Sequence, residues 1–297
     1  MLKIAIVGYG NLGKYALKAL EMAGDMECCG VVRRSGSADG IEELAPYKVV
    51  SDPRQLGSVD AAILSVPSRL VEQTAKEYLS LGIATADSFD IHKEIPHLRE
   101  TLSPIAKERG VASIISAGWD PGSDSVVRTL MEAIAPKGIS YTNFGPGRSM
   151  GHTVAAKAVP GVKDALSMTL PQGKGVHSRK VYIEVVEGYG FEQVAAAIKA
   201  DPYFASDVTE VVQVESVERV NTLMHGVDLE REGASSGVEG QKLDFRMRIN
   251  NPALTAQMLV GAARAALRQA PGCYTMVEVP VVDFLEGERE EIIARLV

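Results

Sequence analysis

From Leu2 to Gly118, short β-branched runs alternate with longer stretches whose apolar residues recur at helical spacing. That alternation is the pattern of a parallel sheet joined by crossover helices. It predicts strands at Lys3 to Gly8, Met26 to Val32, Ala61 to Val66, Ile83 to Asp87 and Ala112 to Ser116, with helices at Leu12 to Met22, Arg69 to Leu81 and Ile95 to Glu108. Past Pro136 the pattern changes to long alternating runs, among them Val181 to Val186, Val211 to Val220 and Leu243 to Ile249, with few helices between them. A period of two predicts half-buried strands, here in a largely antiparallel sheet. Asn250-Asn251-Pro252 then opens a helix from Ala253 to Arg268, and a strand-like CYTMVEVPVV and a short charged helix follow. The expected fold is α/β: a doubly wound parallel sheet over 1–118, a second α+β lobe over 119–250, and a segment 251–297 that packs back on the first.

Composition narrows the function classes. The 297 residues, 46% hydrophobic, suffice for two packed cores, since single cores stop growing near ~250 to 300 residues. The formal net charge is −7 and no block of like charges stands out, so nothing in the chain asks for nucleic acid or a membrane surface. Cys28 and Cys29 are adjacent in a predicted strand and Cys273 lies far away, which is neither metal-ligand spacing nor a disulfide framework. Reduced, buried thiols and no metal site are expected. The opening MLKIAIVGYG leads into a glycine-rich turn rather than a cleavage site, and no apolar stretch approaches ~20 residues. A soluble, cytoplasmic protein is expected.

Gly8-Tyr9-Gly10-Asn11-Leu12-Gly13 fits G-x-G-x-x-G between the strand KIAIV and a helix beginning near Leu12. This is the dinucleotide-binding turn of a Rossmann domain. The first glycine permits the tight turn, the second lets backbone approach a pyrophosphate, and the third allows close helix packing, while the helix N-terminus faces the anion. About twenty residues on, such domains that prefer NAD place an acid against the ribose hydroxyls. Here the chain reads Val32-Arg33-Arg34-Ser35. Guanidinium groups cannot accept from a ribose diol, but they can donate to a 2′-phosphate, so NADP is the expected cofactor. Ser65-Val66-Pro67-Ser68 ends the next strand at the edge where loops cover the nicotinamide half, although an ordinary proline turn fits it equally.

The last strand of the first lobe runs into Ser116-Ala117-Gly118-Trp119-Asp120-Pro121-Gly122, which holds the single tryptophan of the chain. An indole beside a carboxylate can pack on an aliphatic substrate while the acid pairs with an ammonium group. Asp120 also suits the N-cap of a helix starting near Pro121, and the two readings are compatible.

GYGNLG, Arg33-Arg34, Asp87-Ser88-Phe89-Asp90, SAGWDPG, Phe144-Gly145-Pro146-Gly147, Ser149-Met150-Gly151-His152 and Pro160-Gly161-Val162 follow one another in this order. In that succession the chain resembles the meso-diaminopimelate dehydrogenases over nearly its whole length. The resemblance implies reversible, NADP-dependent oxidative deamination of the D-centre of meso-2,6-diaminopimelate, giving L-2-amino-6-oxopimelate and ammonia, and a homodimer built on the second lobe. It implies that Asp90, Trp119 and Asp120 surround the reacting D-centre. It also places Phe144, Thr169, Arg179, His225 and Asn251 around the distal L-centre, with Met150, Gly151 and His152 along the substrate.

The chemistry of these side chains suits the assignment. Two carboxylates favour a bound cation, and one of them, or a neighbour, can accept the proton that must leave before hydride transfer. Arg179 can make a bidentate pair with a carboxylate. Each residue has a plainer reading: His225 as a turn histidine, Asn251 as a helix cap, Arg179 as an exposed strand residue. The stretch Pro171 to His177 is short where some members of the family carry a longer insertion, which together with His152 leaves the breadth of specificity open. Three rival functions remain at this point: another D-amino-acid dehydrogenase, an enzyme like dihydrodipicolinate reductase, or a sensor that binds NADP without chemistry.

Overall fold

The computed structural model describes residues 1–220 and 224–297, and the surroundings of residues 150, 151 and 224 beyond their backbone lie outside the described part. In chain order the first elements are β1 (Leu2–Val7), α1 (Asn11–Glu21), β2 (Met26–Val32), β3 (Val49–Val50), β4 (Ala61–Leu64), α2 (Ser68–Ser80), β5 (Ala84–Asp87), α3 (Ile95–Arg109), β6 (Ala112–Ile115) and α4 (Asp124–Ile134). There follow β7 (Lys137–Phe144), β8 (Gly147–Arg148), α5 (Met150–Ala158), β9 (Val162–Gly173), β10 (Val176–Val185), α6 (Phe191–Ala200), β11 (Val208–Gln213), β12 (Met224–Ser235) and β13 (Val238–Asn250). The chain continues through α7 (Asn251–Ala266), β14 (Gly272–Thr275) and α8 (Arg289–Leu296).

Strand β1 shows why the first sheet needs cover on both sides. Its side chains alternate, with Ile4 and Ile6 in one core and Ala5 and Val7 in the other. Leu17 and Leu20 of α1, with Leu259, Val260 and Ala263 of α7, fill the first core. Val71, Ala75 and Leu79 of α2, with Leu98, Leu102 and Ala106 of α3, fill the second. The seven strands run β14-β6-β5-β4-β1-β2-β3, and every pair is parallel. The order reverses at β1, so β1 and β4 flank the switch point where doubly wound sheets bind ligands beyond the strands' carboxyl ends.

The chain divides into two compact units, Met1–Thr129 with Pro252–Val297, and Leu130–Asn251. The first boundary falls within α4, between Thr129 and Leu130, whereas the sequence pattern placed a break at 118. The second unit holds a four-stranded sheet, β11-β10-β9-β8, and a three-stranded sheet, β13-β12-β7. Helices α5 and α6 pack Ala156, Val159, Val194 and Ile198 against Ala165, Val181 and Ile183 of the larger sheet.

Several expectations need correcting. β11 stops at Gln213, short of Val220, and it pairs with β10 in parallel, since α6 carries the chain back across the sheet. The antiparallel pattern therefore holds for the other pairs of this unit only. In CYTMVEVPVV only the start is strand. A capping box at Thr275 and Glu278 turns the chain into a 3-10 helix, and a second one follows at Val281–Phe284. Cys28 and Cys29 are half-buried rather than buried, Cys273 is buried, and all three are free. Among the described residues no helix is long and apolar enough to cross a membrane, and no cluster of His, Cys, Asp or Glu could hold a metal ion.

Candidate active site

Because the sheet is parallel, the residues that follow each strand collect along one edge. Gly8 follows β1, Arg33 follows β2, Ser65 follows β4, Ser88 to Asp90 follow β5, and Ser116 to Asp120 follow β6. This edge assembles the candidate residues of the first unit.

The glycine turn is built by close approach. Gly8 sits at φ 89°, and a Cβ there would lie 2.5 Å from the Ser65 carbonyl oxygen. A Cβ on Gly13 would lie 2.3 Å from the carbonyl oxygen of Gly8, so only glycine lets α1 start this near the turn. Gly10 is different, with no atom within 4 Å of the corresponding point. It caps α1 without a side-chain hydrogen bond. Tyr9 and Leu12 lean on the core beneath, and Asn11 is exposed. The hydroxyl oxygen of Ser65 is buried with no hydrogen-bond partner among the described residues. An open cradle at Gly10 and an orphaned hydroxyl across the switch point fit a dinucleotide.

The two arginines after β2 are not alike. Arg33 donates from Nη1 to the carbonyls of Ser37 (3.2 Å) and Ala38 (3.3 Å), and its Nη2 lies 3.4 Å from Asp39. Arg34 is exposed, and no ion pair or hydrogen bond among the described residues occupies its guanidinium. Pro67 caps α2, and Ser68, its first residue, faces away from an independent role: its hydroxyl donates to Asp90 Oδ1 at 2.6 Å and accepts from the Asp90 amide at 3.3 Å.

Asp87, the last residue of β5, ties two of these segments together. Its Oδ1 accepts from the amides of Phe89 (3.0 Å) and Ser116 (3.1 Å), and its own carbonyl accepts from Ala117 N at 2.7 Å. The carboxyl is fully buried, its Oδ2 has no partner among the described residues, and burial pushes its pKa up to about 6 against the pull of the two amides. Asp90 and the Trp119-Asp120 turn thus hang from one buried group.

Trp119 is buried, and Asp120 does not cap a helix at Pro121, contrary to the sequence reading. Pro121 is extended (ψ 155°), and α4 begins at Asp124. Asp120 instead pairs through Oδ1 with Arg128 Nη2 at 3.0 Å, and the same nitrogen lies 2.5 Å from Asp124 Oδ2. Asp124 is fully buried, and its pKa is pushed up to about 7, first by burial and then by the negative charge of Asp120, against the pull of Arg128. The sequence carried a signal for this pair: Asp124 and Arg128 are four residues apart on one helix face.

In the second unit, Arg179 lies opposite Thr169 across β9 and β10. Its Nη1 donates to the Thr169 hydroxyl, and its Nε donates to Asp207 Oδ2 at 2.6 Å. The guanidinium is 15% exposed, which overturns the plain reading of an exposed strand residue. His152, in the first turn of α5, bonds Ser149 Oγ through Nδ1 at 2.8 Å, lies 3.8 Å from Asp207 through Nε2, and meets the rings of Tyr203 and Phe204 edge-on. Burial and then the Arg179 charge lower its pKa. Phe144 donates its amide to His177 Nε2 at 2.9 Å and stacks on that ring, whose pKa burial and Arg179 also lower.

His225 belongs to β12 rather than to a turn, and its Nδ1 accepts from Gly226 N at 2.8 Å. Burial lowers its pKa. A Cβ on Gly147 would lie 2.7 Å from His225 Cα, so the second glycine of FGPG is the space His225 needs. Asn251 is exposed at the start of α7. Met150 and Gly151 open α5, and their surroundings beyond the backbone lie outside the described part. The structure therefore gathers Thr169, Arg179 and His152 around Asp207, with Phe144 beside His177. Asp207, Asp124 and Arg128 were not singled out in the sequence, since register and helix phase bring them in, and Asp87 and His177 appeared there only as members of longer segments with no role of their own.

The family model for the diaminopimelic acid dehydrogenase C-terminal domain matches residues 118–176. The chain is 61% identical over 295 residues to a meso-diaminopimelate D-dehydrogenase of Bacteroides fragilis, covering 99% of each chain. It is similar in structure to the diaminopimelate dehydrogenase of C. glutamicum in complex with diaminopimelate, at 27% identity and a TM-score of 0.79 over 100% of this chain and 99% of that one. It is also similar to an engineered D-amino acid dehydrogenase bound to NADP+, at 26% identity and a TM-score of 0.73 over 100% and 99%. With that identity to a curated relative along almost the full length of both, on a dinucleotide-type sheet edge carrying two acids, the chain belongs to the meso-diaminopimelate D-dehydrogenase family.

Proposed function

We propose that this protein oxidatively deaminates the D-centre of meso-2,6-diaminopimelate with NADP, giving L-2-amino-6-oxopimelate and ammonia, and runs the reductive amination in reverse. The observation that carries this reading is the pair of acids, Asp90 and Asp120, held after neighbouring strands of the sheet edge that also bears the glycine turn. When bound there, NADP supplies the hydride acceptor. The residues that would hold it are Gly8, Tyr9, Gly10, Asn11, Leu12 and Gly13 at the pyrophosphate, Arg34 with Arg33 at the 2′-phosphate, and Ser65, Pro67 and Ser68 along the nicotinamide half.

Asp90 and Asp120 attract the substrate's ammonium group, and a carboxylate beside it accepts the proton that must leave before the C–H bond can break. The buried indole of Trp119 offers an uncharged, flat face against which the aliphatic part of the substrate packs. Loss of hydride from Cα of the neutral amine leaves an iminium, water adds to its carbon with release of one proton, and transfer of the remaining hydroxyl proton to nitrogen lets ammonia depart as the ketone forms. In the second unit, Arg179 receives the distal carboxylate through Nη2, the nitrogen that Asp207 and Thr169 leave open. Thr169, His152, Phe144, His225 and Asn251, with Met150 and Gly151, are assigned to the rest of the substrate. A homodimer through the second unit accords with Ile139 and Val238, exposed apolar residues on its three-stranded sheet. A cytoplasmic location goes with the metabolic role.

The test is a panel of diaminopimelate stereoisomers with NADP, followed at the nicotinamide absorbance and by ammonia release. Meso substrate should turn over and the L,L-isomer should be slower by roughly a hundredfold or more, because turning an L-centre to the acceptor pulls its ammonium from the acids. Comparable turnover of the L,L-isomer, free of epimerase, defeats the assignment.

A further inference from the structure

We propose that Asp124 is a positioning residue for this reaction: acting through Arg128, it governs how much negative charge Asp120 presents to the substrate's ammonium group. The proposal rests on the reading of Asp120 as a group that faces that ammonium. One nitrogen, Arg128 Nη2, serves both acids, at 3.0 Å for Asp120 and 2.5 Å for Asp124. One cation cannot neutralise two carboxylates. With Asp124 ionised, its short contact satisfies Arg128 and the trio carries one net negative charge, which falls to Asp120. With Asp124 protonated, the Arg128 charge is left to Asp120, the trio is neutral, and a cation gains little by approaching.

Burial makes Asp124 the member whose proton matters. Its side chain is fully buried, while Asp120 keeps 12% and Arg128 29% of their exposure. Water can soften a change of charge on the latter two but not on Asp124. Among the described residues, the charged groups that face Asp124 are Asp120 and Arg128, and Ser125 donates to it from its amide and, at 3.4 Å, from its hydroxyl. The balance of these influences sets its titration near neutral pH. Binding of a cationic substrate should therefore tighten as pH rises through the neutral range, and a bound ammonium should in turn expel the proton from Asp124.

The experiment measures KM and kcat for meso-2,6-diaminopimelate from pH 5.5 to 9.5 in wild type, Asp124→Asn and Arg128→Met, with KM for NADP as a control. Wild type should show KM falling through about pH 7. Asp124→Asn, in which Arg128 permanently offsets Asp120, should lose that inflection and hold KM raised by roughly tenfold or more on the alkaline side, with kcat changed far less. In Arg128→Met the two acids lose their cation, and the inflection should move to higher pH by about one unit or more. An inflection that stays in place in both variants overturns the proposal. Infrared titration of the carboxyl groups in the free protein reads Asp124 without substrate. A carboxyl titrating near neutral pH in wild type and shifted upward in Arg128→Met supports the coupling even if Asp124→Asn does not fold, and no such band overturns it. If wild type oxidises no diaminopimelate at any pH, the substrate reading has failed, and the infrared titration still decides the coupling.

Discussion

The Asp87 carboxyl is fully buried, and the segments that carry Asp90 and Asp120 both depend on it. Its pKa, about 6, lies above the ordinary carboxylate value near 4, so the folded protein holds this proton more tightly than the unfolded chain does. The sign follows from linkage: stability falls as pH rises from about 4 to about 6 and the loss is constant above that, ~3 kcal/mol for a shift of this size. Asp87→Asn keeps an oxygen that accepts both amides and has nothing to titrate. Its unfolding free energy relative to wild type should therefore rise by ~3 kcal/mol between pH 4 and pH 7, read by urea denaturation at both. An unchanged difference would show that Asp87 does not carry the proton. At this scale the sequence exposed the residues that motifs carry, such as Asp90, Trp119 and Asp120. It hid those whose meaning is a partner: Asp207 becomes the mate of Arg179 only once β11 lies beside β10 in register.

The loops after β1 and β2 show how an element's ends, rather than its middle, decide chemistry. Strand middles were readable because their apolar runs must be buried on both faces, and β2, predicted from Met26 to Val32, has those bounds. Ends were less so: the short β3 at Val49–Val50 has too few residues to show a period, and β11 was overextended because alternation continues past the last ladder bond. Arg33 and Arg34 were equals in the sequence and differ in the fold, since Arg33 is spent on Ser37, Ala38 and Asp39. Arg34→Ala should thus carry most of the loss when both are replaced. Together the substitutions should raise KM for NADP over that for NAD by one to two orders of magnitude, as expected for charged hydrogen bonds worth ~1.5 to 3 kcal/mol. Equal losses with the two cofactors would mean that neither arginine reads the 2′-phosphate.

Across the whole molecule, the change in hydrophobic pattern past Pro136 announced a second lobe, but patterning could not show that β14 enters the first sheet beside β6, because four residues are too few to reveal a partner. The role proposed for Arg179 gives a separate test. Arg179→Ala should weaken meso-diaminopimelate strongly and leave small monocarboxylic D-amino acids almost unchanged, since only a substrate with a second carboxylate offers one to Nη2, the nitrogen that Asp207 and Thr169 leave open. Steady-state kinetics on both substrate classes checks this, and equal losses would make Arg179 a scaffold residue held by Asp207. The first unit is also discontinuous, with β14 docking on β6 only after the second unit has been spelled out. On a ribosome adding about 5 to 20 residues per second, the β6 edge waits on the order of ten to thirty seconds for its neighbour. Meanwhile the second unit, contiguous in sequence, emerges entire. The domain that begins first is therefore finished last, and during biogenesis the nascent chain carries an open, apolar sheet edge of the kind that chaperones bind.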